Sequence, residues 1–315
     1  MNSRTDQPHR AGATTADIEA HYDIGKDFYA LWLDPGLTYS CALWDGIEGA
    51  PGNTDVLRKA QQAKLRYHLG QAGITANSRL LDIGCGWGSL LRMATEETGV
   101  RHAVGLTLST DQHAHVRSLG LPGVDARVED WRDHEPDDVY DGIVSIGAFE
   151  HFTHPAMSRD ERIEAYRAFF ARCAGWLPPL GRLSLQTIAL TDHADADHDD
   201  SVPEFFAREI FPGSALPRLS EIATACEPYF AITGLREDGA HYARTVRAWS
   251  TRLFQAREQA QLLVGPDIYR RYRTYLRASE IVFLRQASTL YRLTLRRWPA
   301  RRGLAGPSGS QALPK

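Results

Sequence analysis

The chain has 315 residues and is poor in the features that mark several protein classes. Its four cysteines, Cys41, Cys85, Cys173 and Cys226, are scattered, with no CxxC or other metal spacing. That excludes a disulfide framework and a zinc ribbon and points to a reducing compartment. No apolar run approaches the roughly 20 residues that span a bilayer. The opening MNSRTDQPHRAGATTAD has no hydrophobic stretch, so no secretory signal is expected and a cytoplasmic location is. Internal repeats are absent, and low complexity is confined to one acidic patch and the C-terminal tail. What remains, 43% hydrophobic, 24% charged and 10% aromatic residues, is the composition of a soluble globular protein.

The net charge of −3 is unevenly spread. From Ile268 to Lys315 ten arginines and one lysine face a single acid, Glu280, a balance of +10 that leaves −13 for the preceding residues. A basic C-terminal segment on an acidic body suits an anionic partner, such as a phospholipid surface, a diphosphate or a nucleic acid. The plainer reading is a terminal helix with a solvated arginine face.

Along the chain, Thr14 followed by Asp17 resembles a capping box. An aromatic-rich segment with a Pro-Gly turn follows, and then a helix over about 55–71. Apolar runs at 79–84, 103–108, 125–130, 141–149 and 181–190 then alternate with helical stretches, the longest over 159–176. This alternation predicts an α/β fold with a doubly wound parallel sheet and helices on both faces. Residues 190–218 interrupt the pattern with TDHADADHDD and the aromatic run EFFAREIF. A further strand is expected over 229–237, then two closing helices over about 242–263 and 266–290. The tail GLAGPSGSQALPK reads as disordered.

The strongest local signal is LLDIGCGWGSLL, in which a strand ending at Asp82 meets Gly84, Gly86 and Gly88 before a helix. Glycines there let a ligand lie against bare main chain at the helix start. A dinucleotide fingerprint would read G-x-G-x-x-G, with an acid about 20 residues on for the ribose. Here the spacing is G-x-G-x-G and the second strand ends VGLTLST, without an acid. An S-adenosylmethionine site, which needs no pyrophosphate cradle, fits better, with Asp82 suited to the ligand's amino group. An oxidoreductase is the weakest alternative.

HYDIGKDFYALWLDPGLTYSCALW, LLDIGCGWG, VGLTLSTDQ, VSIGAFEHF, LQTI, EIFPGSALP and HYARTVRAW follow one another from about His21 to Trp249. In this the chain resembles the cyclopropane-fatty-acid synthases, in particular the mycolic acid cyclopropane synthases. The resemblance implies a Rossmann-like class I methyltransferase sheet with an N-terminal helical cover and C-terminal helices. It divides the chain into a disordered tail (1–13), the cover (14–72), a methyltransferase domain (73–300) with a lid insertion about 190–218, and a disordered tail (301–315). It implies that Tyr22, Tyr39 and Ser40 close over S-adenosylmethionine, with Asp82, Gly84 and Gly86 beneath it. Thr107 and Gln112 would serve its ribose and methionine parts, and Asp130 with Trp131 its adenine. The reacting carbon would lie near a bicarbonate ion held by Cys41, Glu150, Gln186, Ile188 and Tyr242. The family reads H-T-I where this chain reads Gln186-Thr187-Ile188, and glutamine binds an anion through its amide but does not titrate.

The implied chemistry is in-line attack of a nucleophile on the sulfonium methyl. With an alkene nucleophile a carbocation forms, and Tyr39, Phe149, Phe205, Phe206 and Tyr242 are candidates to stabilise it. Glu150 is the candidate base, since strand C-termini face the ligand crevice; its plainer role is a helix-capping carboxylate. Cys41 is assigned a place in the site without a nucleophilic role. His151 and His154 have a metal-like spacing but no third ligand, so no metal is expected, and TDHADADHDD is read as a solvated loop over a Mg²⁺ site. The acidic segment before EIFPG is less apolar than a long acyl chain would favour, which raises a smaller alkene acceptor such as an isoprenoid. The expected function is transfer of a methyl or methylene group to an alkene of a lipid or isoprenoid-like acceptor. The alternatives are a small-molecule N- or C-methyltransferase without bicarbonate or ring closure, and a non-catalytic binder on the same fold. The basic C-terminal helix has two readings, packing against the sheet with its arginines outward or peripheral contact with anionic membrane, and no nucleic-acid partner is expected.

Overall fold

In the computed structural model the described residues are 24–191 and 214–299. Tyr22, Phe205, Phe206, the motif EIFPG, the acidic patch after Thr191 and both tails lie outside them. The chain runs α1 (Lys26–Trp32), α2 (Thr54–Ala72), β1 (Arg79–Ile83), α3 (Ser89–Glu96), β2 (His102–Thr107), α4 (Thr110–Ser118), β3 (Val124–Val128) and β4 (Gly142–Ile146). A single 3-10 turn (Phe149–His151) precedes α5 (Arg159–Trp176), β5 (Arg182–Leu190), α6 (Leu219–Cys226), β6 (Phe230–Glu237), α7 (Gly239–Gln255), α8 (Arg257–Leu284) and β7 (Ser288–Arg297).

Local chemistry sets the helix ends. Asn53 caps α2 by accepting from the Asp55 and Val56 amides, and Gly73 ends it in the left-handed region. Ser158 and Glu161 form a reciprocal capping box on α5.

The seven strands form one sheet, ordered β3-β2-β1-β4-β5-β7-β6. Strands β1 to β5 are parallel, while β7 runs antiparallel between β5 and β6. The expected all-parallel sheet is therefore mixed, and the expected last helix stops at Leu284. LYRLTLRRW is not helical. Its first eight residues lie in β7, where Leu290, Arg292 and Thr294 alternate with Tyr291, Leu293 and Leu295. That period of two fits a strand packed on both faces.

The same alternation sorts the two faces of the sheet. Leu81, Ile83, Leu183, Leu185, Leu293 and Leu295 face α5 and α6, joining Phe169 and Phe170 in one core. The opposite face meets α2, whose Gln71 accepts a hydrogen bond from Thr294 and whose His68 touches Ser184 and Gln186. Around that face α1, α7 and α8 gather a second core rich in aromatic rings, including Trp32, Tyr242 and Trp249.

Arg292 is wholly buried on this face. It pairs with Asp238, donates to Gln186 Oε1 at 2.9 Å, and reaches the carbonyls of Cys41 and Ala42 at 3.4 and 3.1 Å. Removing one partner of a buried ion pair leaves an uncompensated charge and costs about 3–5 kcal/mol. Arg292→Leu is thus expected to lower unfolding stability by that order in urea titration. Arg270→Ala, which breaks the exposed pair with Asp267, is expected to leave the midpoint nearly unchanged. Equal small effects would refute the assignment of Arg292 as the buried tie.

Candidate active site

The sheet order reverses between β1 and β4, and ligands in such sheets sit beyond the strand C-termini at that point. A cleft lies there. It is lined from the N-terminal segment by Tyr39 and Ser40, after β1 by Asp82, Gly84 and Gly86, and at β2 and α4 by Thr107 and Gln112. Asp130 and Trp131, after β3, complete the same lining. Nine of the ten residues expected at the cofactor thus converge, and Tyr22 lies outside the described residues.

The glycine turn is shaped for close approach. Gly84 has φ +81°, and a Cβ there would come within 2.6 Å of Ala148 Cβ across the switch point. Gly86 has φ +53° and no protein atom within 4 Å of a Cβ. Its glycine is required by backbone conformation. Thr107 donates to Gln112 Oε1 at 2.7 Å, which leaves the Gln112 amide N–H groups to donate.

Two buried charges face this cleft. Burial pushes Asp82 up to about 7, with Lys64 pulling the other way. Burial, then Arg292, pushes Lys64 down to about 7. Lys64 Nζ donates to Ser40 Oγ at 2.8 Å, and Gln61 Nε2 donates to the Thr38 and Ser40 carbonyls at 3.2 and 2.9 Å. The buried face of α2 therefore holds the TYSC segment over the cleft. Gln61, Lys64 and His68 were not singled out in the sequence, although polar residues spaced i, i+3 and i+7 on an otherwise apolar helix face are the available signal.

The five residues expected around the reacting carbon lie beside the cleft, not in its lining, and they are linked. Cys41, Ile188 and Tyr242 share the aromatic core. Arg292 joins Gln186 to Cys41, with its Nη2 at 3.5 Å from the sulfur. Glu150 Oε1 accepts from the Ile188 amide at 2.7 Å, and its Oε2, equally buried, has no hydrogen-bond partner among the described residues. Burial pushes Glu150 up to about 7 against the opposing pull of the Ile188 N–H. Burial also pushes the Cys41 thiol up to about 11 despite Arg292, so it remains protonated and is no nucleophile.

Other expectations are redirected. The Phe149 ring stacks on Tyr166 at 4.4 Å, inside the core on the α5 side of the sheet, away from the rings around Tyr242. His151 lines the cofactor cleft with Nδ1 2.9 Å from Ser214 Oγ, and His154 Nδ1 accepts from the Ala156 amide. Among the described residues no group of three or more His, Cys, Asp or Glu is placed to hold a metal.

The family model for mycolic acid cyclopropane synthetase matches residues 9–293. The chain belongs to that family. Cyclopropane mycolic acid synthase 2 of Mycobacterium bovis is 35% identical over 297 residues, covering 88% of this chain and 93% of the relative. Cyclopropane mycolic acid synthase MmaA2 of Mycobacterium tuberculosis is 38% identical over 276 residues, covering 82% and 89%. The crystal structure of mycolic acid cyclopropane synthase CmaA1 complexed with SAH and CTAB superposes with a TM-score of 0.80. It is 33% identical and covers 90% of this chain and 99% of that one. A coclaurine N-methyltransferase structure, at 20% identity and a TM-score of 0.73, shares the fold. This cyclopropane synthase-like protein is an S-adenosylmethionine-dependent methyltransferase.

S-adenosylmethionine carries a net positive charge, so a cleft whose Asp82 ionises and whose Lys64 discharges near pH 7 binds it better as pH rises. Its dissociation constant, measured by calorimetry, is expected to tighten about tenfold from pH 6 to 8, most steeply around pH 7, and then level. Asp82→Asn should weaken binding by about 10-fold or more at pH 8 and remove the carboxylate's share of the pH slope. An unchanged slope in the variant would overturn the assignment.

Proposed function

We propose that this methyltransferase adds a methylene unit from S-adenosylmethionine to the alkene of a lipid acceptor, closing a cyclopropane ring. The observation that carries this reading is Glu150, a buried carboxylate poised near neutrality with one oxygen held and the other without a partner among the described residues. The π pair of the alkene forms the new bond to the sulfonium methyl carbon, and the C–S pair leaves with the sulfur. The resulting carbocation loses a proton from the new methyl group, and that C–H pair closes the ring. Glu150 is assigned to accept this proton directly or through a small relay. Positioning in a dry chamber supplies much of the remaining acceleration.

The roles of the cleft residues follow from the same reading. Asp82 takes the ammonium of the donor, Thr107 and Gln112 its ribose and methionine parts, and Asp130 with Trp131 its adenine, under Tyr39 and Ser40. Tyr39 packs at 5.3 Å from both Trp32 and Trp249, and Tyr242 stacks on Phe283 at 4.4 Å. These rings suit a cation, which aromatic faces stabilise by about 2 kcal/mol or more when desolvated.

Cys41, Glu150, Gln186, Ile188 and Tyr242 are also assigned to hold bicarbonate. The unpartnered Glu150 oxygen and the Gln186 amide fit a small oxyanion, and half-protonation of Glu150 near pH 7 lessens repulsion between the two acids. Bicarbonate when bound would supply a proton acceptor. Peripheral contact with anionic lipid is assigned to α8, where Arg270, Arg271 and Arg277 are exposed on one side of a kink at Gly265 and Leu262 and Leu263 are exposed on the other.

A second reading, methyl transfer to a small amine or alkene without ring closure, is favoured by Gln186 standing where the resembling family has histidine. Mass spectrometry of products from methyl-labelled donor separates the two. Unsaturated phospholipid, geranyl diphosphate and aromatic amines, each with and without bicarbonate, form the panel. A lipid product heavier by one methylene and lacking the alkene is expected, with turnover falling below pH 7 as Glu150 protonates. Glu150→Gln should lower turnover by about 10²–10⁴ while donor binding stays within a few-fold. Transfer only to small acceptors, with alkenes retained, would replace the first reading by the second.

A further inference from the structure

Gln186 is anchored through its carbonyl oxygen. Strand register places it directly opposite Arg292, and Arg292 Nε donates to Oε1 at 2.9 Å. From α2, His68 Nε2 lies 3.2 Å from the same oxygen. A guanidinium only donates, so the atom facing it is the oxygen and the amide is not interchangeable end for end. Burial, then Arg292 and Lys64, hold His68 well below its usual pKa, so the ring is neutral with a single N–H. Facing an oxygen, that hydrogen sits on Nε2, and Nδ1 accepts from the Ser184 hydroxyl at 2.8 Å. Both acceptor positions of Gln186 Oε1 are then filled. Its NH₂ is turned away from His68 and Arg292, on the sheet face that also carries Ile188.

We propose that His68 and Arg292 are positioning residues that lock the Gln186 amide, presenting its NH₂ as a fixed neutral donor pair to a small oxyanion beside the reacting carbon. The inference rests on the methylene-transfer reading above and assigns this chain's substitute for a strand histidine. His68 is the informative member, because Arg292 also ties Cys41, Ala42 and Asp238 and its loss would disturb the fold.

A double-mutant cycle tests it. His68→Leu is expected to lower turnover at least tenfold with little change in donor KM. In a Gln186→Met background the same change should have no further effect, and His68→Gln, which keeps a donor, should restore most of the activity. Equal losses in both backgrounds, or no rescue by glutamine, would overturn the proposal. A second measurement is independent of turnover. In protein labelled with ¹⁵N-glutamine, the Gln186 NH₂ pair is assigned by its loss in Gln186→Met and followed as sodium bicarbonate is added. The pair should shift in the wild type and shift less in His68→Leu. No shift in the wild type removes the oxyanion donor role, and equal shifts in both remove the positioning role. Because this arm needs no acceptor, a failure of the alkene reading is distinguishable from a failure of the inference.

Discussion

The fold around the reaction side depends on one buried cation. Arg292 has no solvent of its own, and transferring an unpaired charge into such a place costs several kcal/mol. It is tolerable because three separate pieces of chain bring it four partners: Asp238 before α7, Gln186 of β5, and the Cys41 and Ala42 carbonyls of the N-terminal segment. Burial acting alone would raise Asp238, but Arg236 and Arg292 outweigh it and hold the carboxyl low, so the pair stays ionic. Each of those pieces carries a residue of the proposed chamber. The same charge that demands partners therefore holds Cys41, Gln186 and the start of the Tyr242 helix in register with the sheet.

A different electrostatic logic governs the groups assigned to face ligands. Asp82 and Glu150 are both buried and both rise to about 7, Asp82 opposed by a Lys64 that burial pushes down to about 7 and Glu150 with no counter-charge acting on it. In the proposed reaction they would sit on either side of a sulfonium donor and a carbocation intermediate. A cation arriving near either carboxyl favours its ionised form. Carboxylates already neutralised by fixed arginines would respond much less. The structure thus separates permanent ion pairs, which fix geometry, from loosely balanced acids, which respond to the reactants.

How much of this was legible in the sequence depends on which physical signal each residue leaves. The five parallel strands and the glycine turn were readable because apolar runs and left-handed glycines are local. The antiparallel β7 was misread as helix because its arginines masked a period-two pattern; Leu290, Arg292 and Thr294 share one face only once β5 and β6 flank them. Phe149 was misplaced for a similar reason. Its neighbour Glu150 reaches Ile188, yet within the 3-10 turn its own ring goes to Tyr166 on the far side of the sheet. Lys64, His68 and Arg292 act through partners 24 to 251 positions away, and no local pattern names such partners.

Tyr39 shows how the two halves of the site are joined. It lines the cofactor cleft, and its ring also packs among Tyr29, Trp32 and Trp249, with its hydroxyl donating to Tyr275 at 3.0 Å. Burial raises Tyr39 well above its usual pKa, and raises Tyr272 and Tyr275 as well, so the phenols stay neutral and offer a cation their faces without removing its proton. Proton removal is thereby left to a group of different chemistry. In the proposed mechanism Glu150 meets that requirement from the sheet side, beyond the C-terminal end of β4, while the aromatic wall descends from the helical side. Stabilising a cation and deprotonating it are opposed demands, and the proposed mechanism meets them by drawing each from a separate layer.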